Sequence, residues 1–393
     1  MKLAVGLAEG REFVDVELLG AFTDSAGKSY PPGRYHLDGE VELTPETSDA
    51  AFAIDDVMIG IGFHWERKER QVFRGALRLV RREGLTAIND VSLEEYVTSV
   101  ISSEMSASCP LELLKAHALI SRSWLCYPKL NPESAGKGNE SQRSELEISR
   151  WYGREAHLDF DVCADDHCQR YQGITKVYSA AAFEAVRATN GEVLWHAGKV
   201  CDARFSKCCG GVTEEYRTAW EDREVPYLVS VPDTDDKGNV YCDTHDGALL
   251  AQILPGFDQE TQDFYRWTVK YSGEEIRALV LAREGEDLGV VETLEPLQRG
   301  PSGRIIRLRI QGARKSLIIG KELEIRRALS RSHLYSSAFD VERQGDLLVL
   351  HGKGWGHGVG LCQIGAAVMA SRGKHYREIL EHYYPGTSIA PLL

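Results

Sequence analysis

No stretch of the chain approaches the ~20 consecutive apolar residues that a membrane-spanning helix requires, so no transmembrane segment is expected among its 393 residues. The N-terminus, MKLAVGLAEGREFVDVELLG, carries an early lysine, but Glu9, Arg11 and Glu12 break its apolar stretch at once. It does not read as a signal peptide. Long runs of Lys and Arg are absent too. With 46 basic against 59 acidic side chains and a net charge of −13, the chain lacks the basic face that phosphate neutralisation demands, which argues against nucleic acid as a partner. A sugar polymer is compatible, because hydrogen bonds and aromatic stacking bind it without a polycation. No solenoid repeat is visible. The cysteines do not come in an even number: nine of them, at 109, 126, 163, 168, 201, 208, 209, 242 and 362, exclude complete intramolecular pairing and leave the redox compartment open.

What is present is an ordinary globular composition, 43% hydrophobic and 27% charged, long enough for two domains or one large domain with insertions. Residues 1 to about 75 alternate short apolar segments with turn residues, which predicts a β-rich region. Phe73 to Val80 and Leu85 to Asn89 read as strands around a turn at Arg81-Arg82-Glu83-Gly84. A helix follows: Ser92 with Glu95 makes a capping-box pattern, and Leu93, Val97, Val100 and Glu104 fall on one stripe at spacings of four, three and four. Ser106-Ala107-Ser108 ends it, and Pro110 opens a second helix whose run Leu111 to Leu125 is apolar nearly all round yet contains Arg122. Residues 129 to 150 are polar with Pro, Gly and Ser, and predict a surface excursion. A helix is expected from Tyr178 to Thr189, stopped by Asn190-Gly191, and strands at 193 to 205, 225 to 231, 305 to 310 and 347 to 350. Helices at 361 to 372 and 376 to 383 follow a stretch with glycine at 352, 354, 356, 358 and 360. The expected class is α+β: a helical catalytic core with mixed and antiparallel sheets and an N-terminal β-rich region.

Four segments carry candidate chemistry. A carboxylate that continues an apolar helical stripe, as Glu104 does, loses water, and desolvation raises its pKa toward the range where it can both give and take a proton. The bland alternative is a glutamate near a helix end that bends out to solvent. HLDFDVCADDHCQRY supplies His157, Cys163, His167 and Cys168, two thiolates and two imidazoles suited to tetrahedral zinc. His167 adjoins Cys168, so both reach one ion only across a turn, which Asp165-Asp166 can make. A Cys163–Cys168 disulfide or two free thiols are the alternatives. The alternating glycines at 352–360 do not spell Gly-x-Gly-x-x-Gly, and no Gly-Lys-Ser/Thr follows. They imply instead a backbone closely approached by another chain or a ligand, with Trp355 and His357 projecting; the bland alternative is a tightly packed internal loop with no ligand. Cys208-Cys209-Gly210-Gly211, flanked by Ser206 and Thr213, has no base nearby in sequence and reads as structural.

Taken together and in order, LEEYVTSVISSEM, LELLKAHALISRSW, FSKCCGGVTEEYRTAW, VPYLVSV, SGRIIRLRIQG and GKGWGHGVGLCQIGAAVMASRGKHYREILEHYYPGTSI resemble the stage II sporulation protein D (SpoIID)/LytB family from about residue 73 to the C-terminus. The resemblance implies a lytic transglycosylase acting on peptidoglycan glycan strands, with the family's catalytic glutamate at Glu104 and its helix arginine at Arg122. It implies a domain over 73–393, carrying a β-rich insertion at about 233–345, after an N-terminal β-rich region at 1–72. CADDHCQRY resembles the stretch that supplies zinc ligands in some members, at Cys163, His167 and Cys168; His157 as fourth ligand is our own addition. Arg122, Ser206, His357 and Gln363 are the expected substrate-positioning residues. Peptidoglycan and other cell-wall hydrolases are the partners implied, and the cell envelope the location. Two departures stand out: family members have proline where this chain has Ser106, and they commonly carry an export signal or anchor. Two rival readings follow from the same residues. One is a non-catalytic glycan-binding enhancer of wall amidases; the other is a zinc amidase that cuts the peptide stem.

Overall fold

The computed structural model describes residues 1–61, 66–131, 140–153, 157–254 and 263–392. The fold is α+β, with helices set among several mixed and antiparallel sheets. The chain divides into two compact units: residues 1–122, 156–192 and 252–257 form the first, and 123–155, 193–251 and 258–393 the second.

In the first unit, strand Lys2–Arg11 pairs antiparallel with Leu85–Ser92 and parallel with Val162–Cys163, within a seven-stranded sheet. Strands Ala76–Arg81 and Leu85–Ser92 form the expected hairpin. A second sheet of four strands contains Ala51–Ile59 and Arg67–Arg74. Alternation sets the burial: Leu3 and Val5, Leu77 and Leu79 point inward and are almost fully covered. Helix α1 (Leu93–Glu104) starts at the expected Ser92 cap, but only half of the capping box is made, because the Glu95 carboxylate meets the Ser92 hydroxyl and not its backbone N–H. The Ser92 hydroxyl accepts from Glu95 N–H at 3.3 Å and donates to the Glu95 carboxylate at 2.7 Å. Its burial goes beyond a stripe, however, because every residue from Tyr96 to Ser103 is buried. Thr98, Ser102 and Ser103 tolerate this by donating their hydroxyls to the carbonyls of Glu94, Thr98 and Ser99, at 2.7–2.8 Å. These back-bonds remove the cost of burying an unpaired hydroxyl, about 1–3 kcal/mol each.

Helix α2 (Leu111–Leu130) is longer than its apolar run, with Pro128 in the last turn, and is buried without interruption from Ala116 to Tyr127. Helix α3 (Ala180–Ala188) is capped by Ser179 and followed by Gly191 with φ 68°.

The second unit is centred on a five-stranded sheet that includes Ile305–Gly312 and Ser316–Gly320, with Leu308, Ile310 and Ile319 in its core. Two expectations change here. The polar stretch 129–150 is not wholly an excursion: Glu140–Arg143 and Glu147–Trp151 form a hairpin that joins this sheet, while 132–139 lie outside the described residues. Burial of Ile148 and the paired contact of Arg307 with Glu147, at 2.8 and 2.6 Å, explain why so polar a segment makes a strand. Residues 225–231 are not a strand. Pro226 initiates a turn closed by Leu228 N–H to Val225 O at 2.9 Å, and a proline cannot donate to a ladder. The C-terminal helices lie at Gln363–Ser371 and Tyr376–Tyr383.

Candidate functional site

Glu104 is the last residue of α1, the point at which a fully embedded helix emerges and its carboxyl becomes partly accessible. Its Oε1 accepts the backbone N–H of Arg170 at 2.9 Å. That donor belongs to the loop carrying the Cys/His cluster, so the carboxyl is oriented by the segment that the cysteines fold.

The cluster is assembled by the expected turn. Cys168 N–H closes onto Asp165 O at 3.0 Å, turning His167 and Cys168 toward one point. The ligand atoms of His157, Cys163, His167 and Cys168 lie within 4.8 Å of one another. His157 Nε2 is 3.4 Å from Cys168 Sγ, and His167 Nδ1 is 3.6 Å from Cys168 Sγ and 3.9 Å from Cys163 Sγ. A tetrahedral zinc ion with Zn–S of about 2.3 Å and Zn–N of about 2.0–2.1 Å has N···S edges of about 3.5 Å. These residues therefore fit zinc. Both cysteines are free thiols, so the disulfide alternative is not adopted. The Cys163 thiol is held far below the usual range, to about 2, first by its hydrogen bond with Cys168 and then by His157 and His167. Thiolate is the form that binds metal.

The N-terminal strand builds part of this site. Cys163 sits beside Gly6 in the parallel pairing, and Ala164 N–H donates to Gly6 O at 2.9 Å. A Cβ on Gly6 would lie 2.5 Å from the Phe160 ring, and that ring stacks on His157 with centroids 4.5 Å apart. Glycine at position 6 thus lets Phe160 lie on the strand and hold the imidazole. Burial raises the Asp165 carboxyl to about 6, with Asp166 adding to the effect, while Gly60 N–H donates to it at 3.0 Å.

Arg170 ties the loop to the helix. Its guanidinium meets Asp166 Oδ1 through Nε and Nη2, at 3.0 and 2.7 Å, and reaches Ser103 O at 3.4 Å, a cation at the carbonyl end of α1. Tyr171 then stacks on Tyr96, with centroids 5.2 Å apart, and Gln172 N–H donates to Ser99 Oγ at 3.1 Å. Ser106 has its hydroxyl 2.6 Å from that of Tyr178, a largely exposed aromatic. Arg122 has no solvent exposure. It gives Nε and Nη2 to Glu94, at 3.1 and 2.6 Å, and Nη1 to Glu192 O at 2.8 Å, so it holds the start of α1 onto α2.

The other expected positioning residues belong to the second unit. Ser206 pairs with Cys362 across the short parallel ladder of Phe205–Ser206 and Leu361–Cys362, which brings it beside Gln363, the buried first residue of its helix. The Ser206 hydroxyl is buried without a hydrogen-bond partner among the described residues, and Gly356, next to His357, would place a Cβ 3.2 Å from Ser206 Cβ. His357 Nδ1 accepts Val359 N–H at 3.0 Å, and its ring meets the Trp220 edge with centroids 4.9 Å apart. Burial, then the nearby Arg204 and Arg304, keep this imidazole neutral.

The alternating glycines accommodate protein rather than an open groove. Arg304, fully buried, donates to the carbonyls of Gly356 and Cys209 at 3.1 Å, and a Cβ on Gly354 would meet Arg304 Nη2 at 2.9 Å. Trp355 lies against Phe264 and Tyr335, both with centroids 4.8 Å away. A separate cavity of about 570 Å³ in this unit is lined by residues such as Arg217, Arg299 and Lys321 and by none of the expected site residues.

Sequence reasoning missed two features. Arg170 lies inside a quoted motif, and the Asp166–Arg170 spacing of four was its only signal. The second is a buried group formed by Cys209, Asp233, Cys242 and Cys362, contributed by segments too far apart for spacing to reveal.

Residues 81–196 match the Stage II sporulation protein (SpoIID) family, and residues 214–360 match a domain of unknown function, DUF8618. The chain is 27% identical to stage II sporulation protein D of Bacillus amyloliquefaciens, covering 79% of this chain and 78% of that protein. It is 25% identical to the protein of the same name in Bacillus subtilis, with the same coverage of both chains. An amidase enhancer of Bacillus subtilis is 26% identical over 52% of this chain and 32% of its own length.

Proposed function

From a chain that carries a SpoIID domain and is homologous to stage II sporulation protein D, we propose a cell-wall enzyme: a lytic transglycosylase that cuts peptidoglycan glycan strands between N-acetylmuramic acid and N-acetylglucosamine, with Glu104 as its single acid/base. The observation that carries this reading is the placement of Glu104: a partly accessible carboxyl at the mouth of a buried helix, oriented by Arg170 N–H at 2.9 Å.

Most glycosidases need two carboxylates, one to protonate the leaving oxygen and one to attack or to activate water. Lytic cleavage needs one. Glu104 gives its proton to the glycosidic oxygen as the bond from muramic C1 breaks. The sugar's own 6-hydroxyl oxygen then bonds to C1, and its proton passes to the Glu104 carboxylate. The acid is regenerated, no water is consumed, and the product ends in a 1,6-anhydro ring. Because the nucleophile is part of the substrate, holding the sugar still supplies much of the rate, up to about 7–11 kcal/mol of barrier in well-oriented cases. The Arg170 N–H fixes the carboxyl's direction, and Arg122 acts through Glu94 by holding α1. Ser206, His357 and Gln363 are assigned to glycan positioning within the second unit, where Ser206 and Gln363 are buried. Zinc at His157, Cys163, His167 and Cys168 would neutralise the two thiolates and stiffen the loop that carries Arg170. With four protein ligands the ion would have no open position, which supports a structural role and argues against an amidase metal. The cell envelope is the location this activity requires.

The test is Glu104→Gln, which keeps an acceptor for Arg170 N–H but cannot donate and regain a proton. The unsubstituted chain is expected to release 1,6-anhydromuramyl ends from glycan strands with or without stem peptides, read by mass spectrometry, and the variant to lose this activity while staying folded. Ordinary reducing ends would make the protein a hydrolase. Glycan binding without any cleavage product would favour the second reading, a non-catalytic enhancer, which the likeness to the amidase enhancer supports.

A further inference from the structure

We propose that the second unit contains its own closed metal site, a zinc ion held by Cys209, Cys242, Cys362 and Asp233. The four ligand atoms lie within 4.8 Å of one another, and all four residues are buried. Cys209 Sγ and Cys242 Sγ are 3.6 Å apart. That is far longer than a disulfide's ~2.05 Å and close to the S···S edge of about 3.8 Å that a Zn–S bond of about 2.3 Å gives in a tetrahedron. The Cys208 thiol adjoins those of Cys242 and Cys362 and adds a fourth sulfur to the pocket.

The surroundings are built for anions. Cys362 Sγ receives Cys209 N–H at 3.2 Å and Gly365 N–H at 3.4 Å, the latter from the first turn of the helix that Cys362 caps. Cys209 Sγ receives Gly211 N–H at 3.4 Å. Asp233 accepts Cys242 N–H at 2.9 Å on Oδ2 and the Tyr383 hydroxyl at 2.5 Å on Oδ1. Five donors aimed at ligand atoms are the kind of second shell that orients metal-bound thiolates and carboxylates. As thiolates, the three sulfurs could be buried beside this carboxylate only with a cation among them.

Backbone crowding explains the fit as well. A Cβ on Gly365 would collide with Asp233 and Tyr383, so this glycine is what allows the carboxylate to reach the helix start. Binding would release three thiol protons and, with no ligand position left for water, would make the ion structural. It would pin three distant segments together: the Cys208–Gly211 loop, the Asp233–Cys242 turn and the start of helix Gln363–Ser371. Ser206 and Gln363 lie directly beside two of them in sequence.

The test is metal analysis of the full chain carrying Cys163→Ser and Cys168→Ser, which removes the other thiolate pair, purified under reducing conditions and dialysed against zinc. About one equivalent of zinc is expected to remain, as for a closed four-ligand site. Cobalt in its place should give thiolate charge-transfer absorption and tetrahedral d–d bands, and adding Cys242→Ser should abolish both. Where these variants fold poorly, the unsubstituted chain is alkylated with and without a chelator, and peptide mass spectrometry reads Cys209, Cys242 and Cys362. Protection lost on chelation supports the site. Protection indifferent to chelator, absence of zinc with three free thiols, or a Cys209–Cys242 disulfide would overturn it.

Discussion

Arg122 lends itself to a sharp experiment because the two roles it could serve predict opposite readouts. Its side chain has no exposure, while its partner Glu94 keeps 32%. Removing either partner strands the other, and breaking a buried pair costs up to about 3–5 kcal/mol. The cost is unequal here. In Arg122→Met, the abandoned Glu94 turns to water, so about 2 kcal/mol is expected. In Glu94→Leu, a guanidinium with no path to water keeps only Glu192 O, and about 3–4 kcal/mol is expected. The double variant leaves no charge stranded, only the Glu192 carbonyl without its Arg122 donor, and should cost no more than Glu94→Leu alone, giving a coupling of about 2–3 kcal/mol. Native-state hydrogen exchange of the α1 amides reads these values locally, so unfolding of the other unit does not obscure them. Glycan KM should be unchanged in whatever fraction stays folded. A coupling below about 0.5 kcal/mol, or an Arg122→Met variant of unchanged stability and raised KM, would place the guanidinium on substrate and refute the reasoning.

The remaining predictions are as follows. Gly6→Ala should displace Phe160 and with it His157, costing about 1–3 kcal/mol as an overpacked site and weakening zinc binding roughly 10–100-fold; unaltered zinc affinity by competition with a chromophoric chelator would sink the link. Stripping zinc from the His157 set should slow glycan cleavage and increase proteolysis of the 157–170 loop without changing the 1,6-anhydro end; release of stem peptides that stops with the metal would identify an amidase instead. Glu284 is held at about 7 by burial and by the neighbouring Glu324 carboxylate, with Arg150 and Arg283 each only as near as 3.8 Å. Its folded pKa is raised, so its contribution is complete below the ordinary carboxylate value and is lost as pH rises through about 7. Glu284→Gln should therefore stabilise the second unit at pH 8 by about 1–3 kcal/mol and have little effect at low pH, as thermal unfolding across pH would reveal; equal effects at both would refute it.

How much was legible depended on how far apart the interacting residues lie. The start of α1 at Ser92 and its apolar period are local, and pattern captures them; its end is not, since Ser106-Ala107-Ser108 were expected to stop a helix that ends at Glu104. The Cys163–Cys168 turn is local too, and its ligands fall within one short stretch. The burial of α1 on all sides was not legible, because three side chains that look polar satisfy themselves on the turn before. The donor to Glu104 is a backbone N–H, which every residue but proline has and no motif advertises. The glycine alternation was read correctly as close approach, but Arg304, which fills the space, comes from another segment. Cys209 was read as structural, and Cys242 and Cys362 carried no local signal; the three meet across separations of 33 and 153 residues. The failed strand at 225–231 shows the converse: a β-rich composition yields to a single proline that closes a turn.

The pairing of Gly6 with Cys163 also bears on how this protein can be divided. A fragment trimmed to the family match at 81–196 would retain Glu104 and the thiols and imidazoles of Cys163, Cys168, His157 and His167. It would discard the strand against which Cys163 is registered and on which Phe160 rests. Such a fragment would have these side chains in the right order and no surface to hold them in place, so dissection of the proposed activity should begin at the first residue of the opening strand.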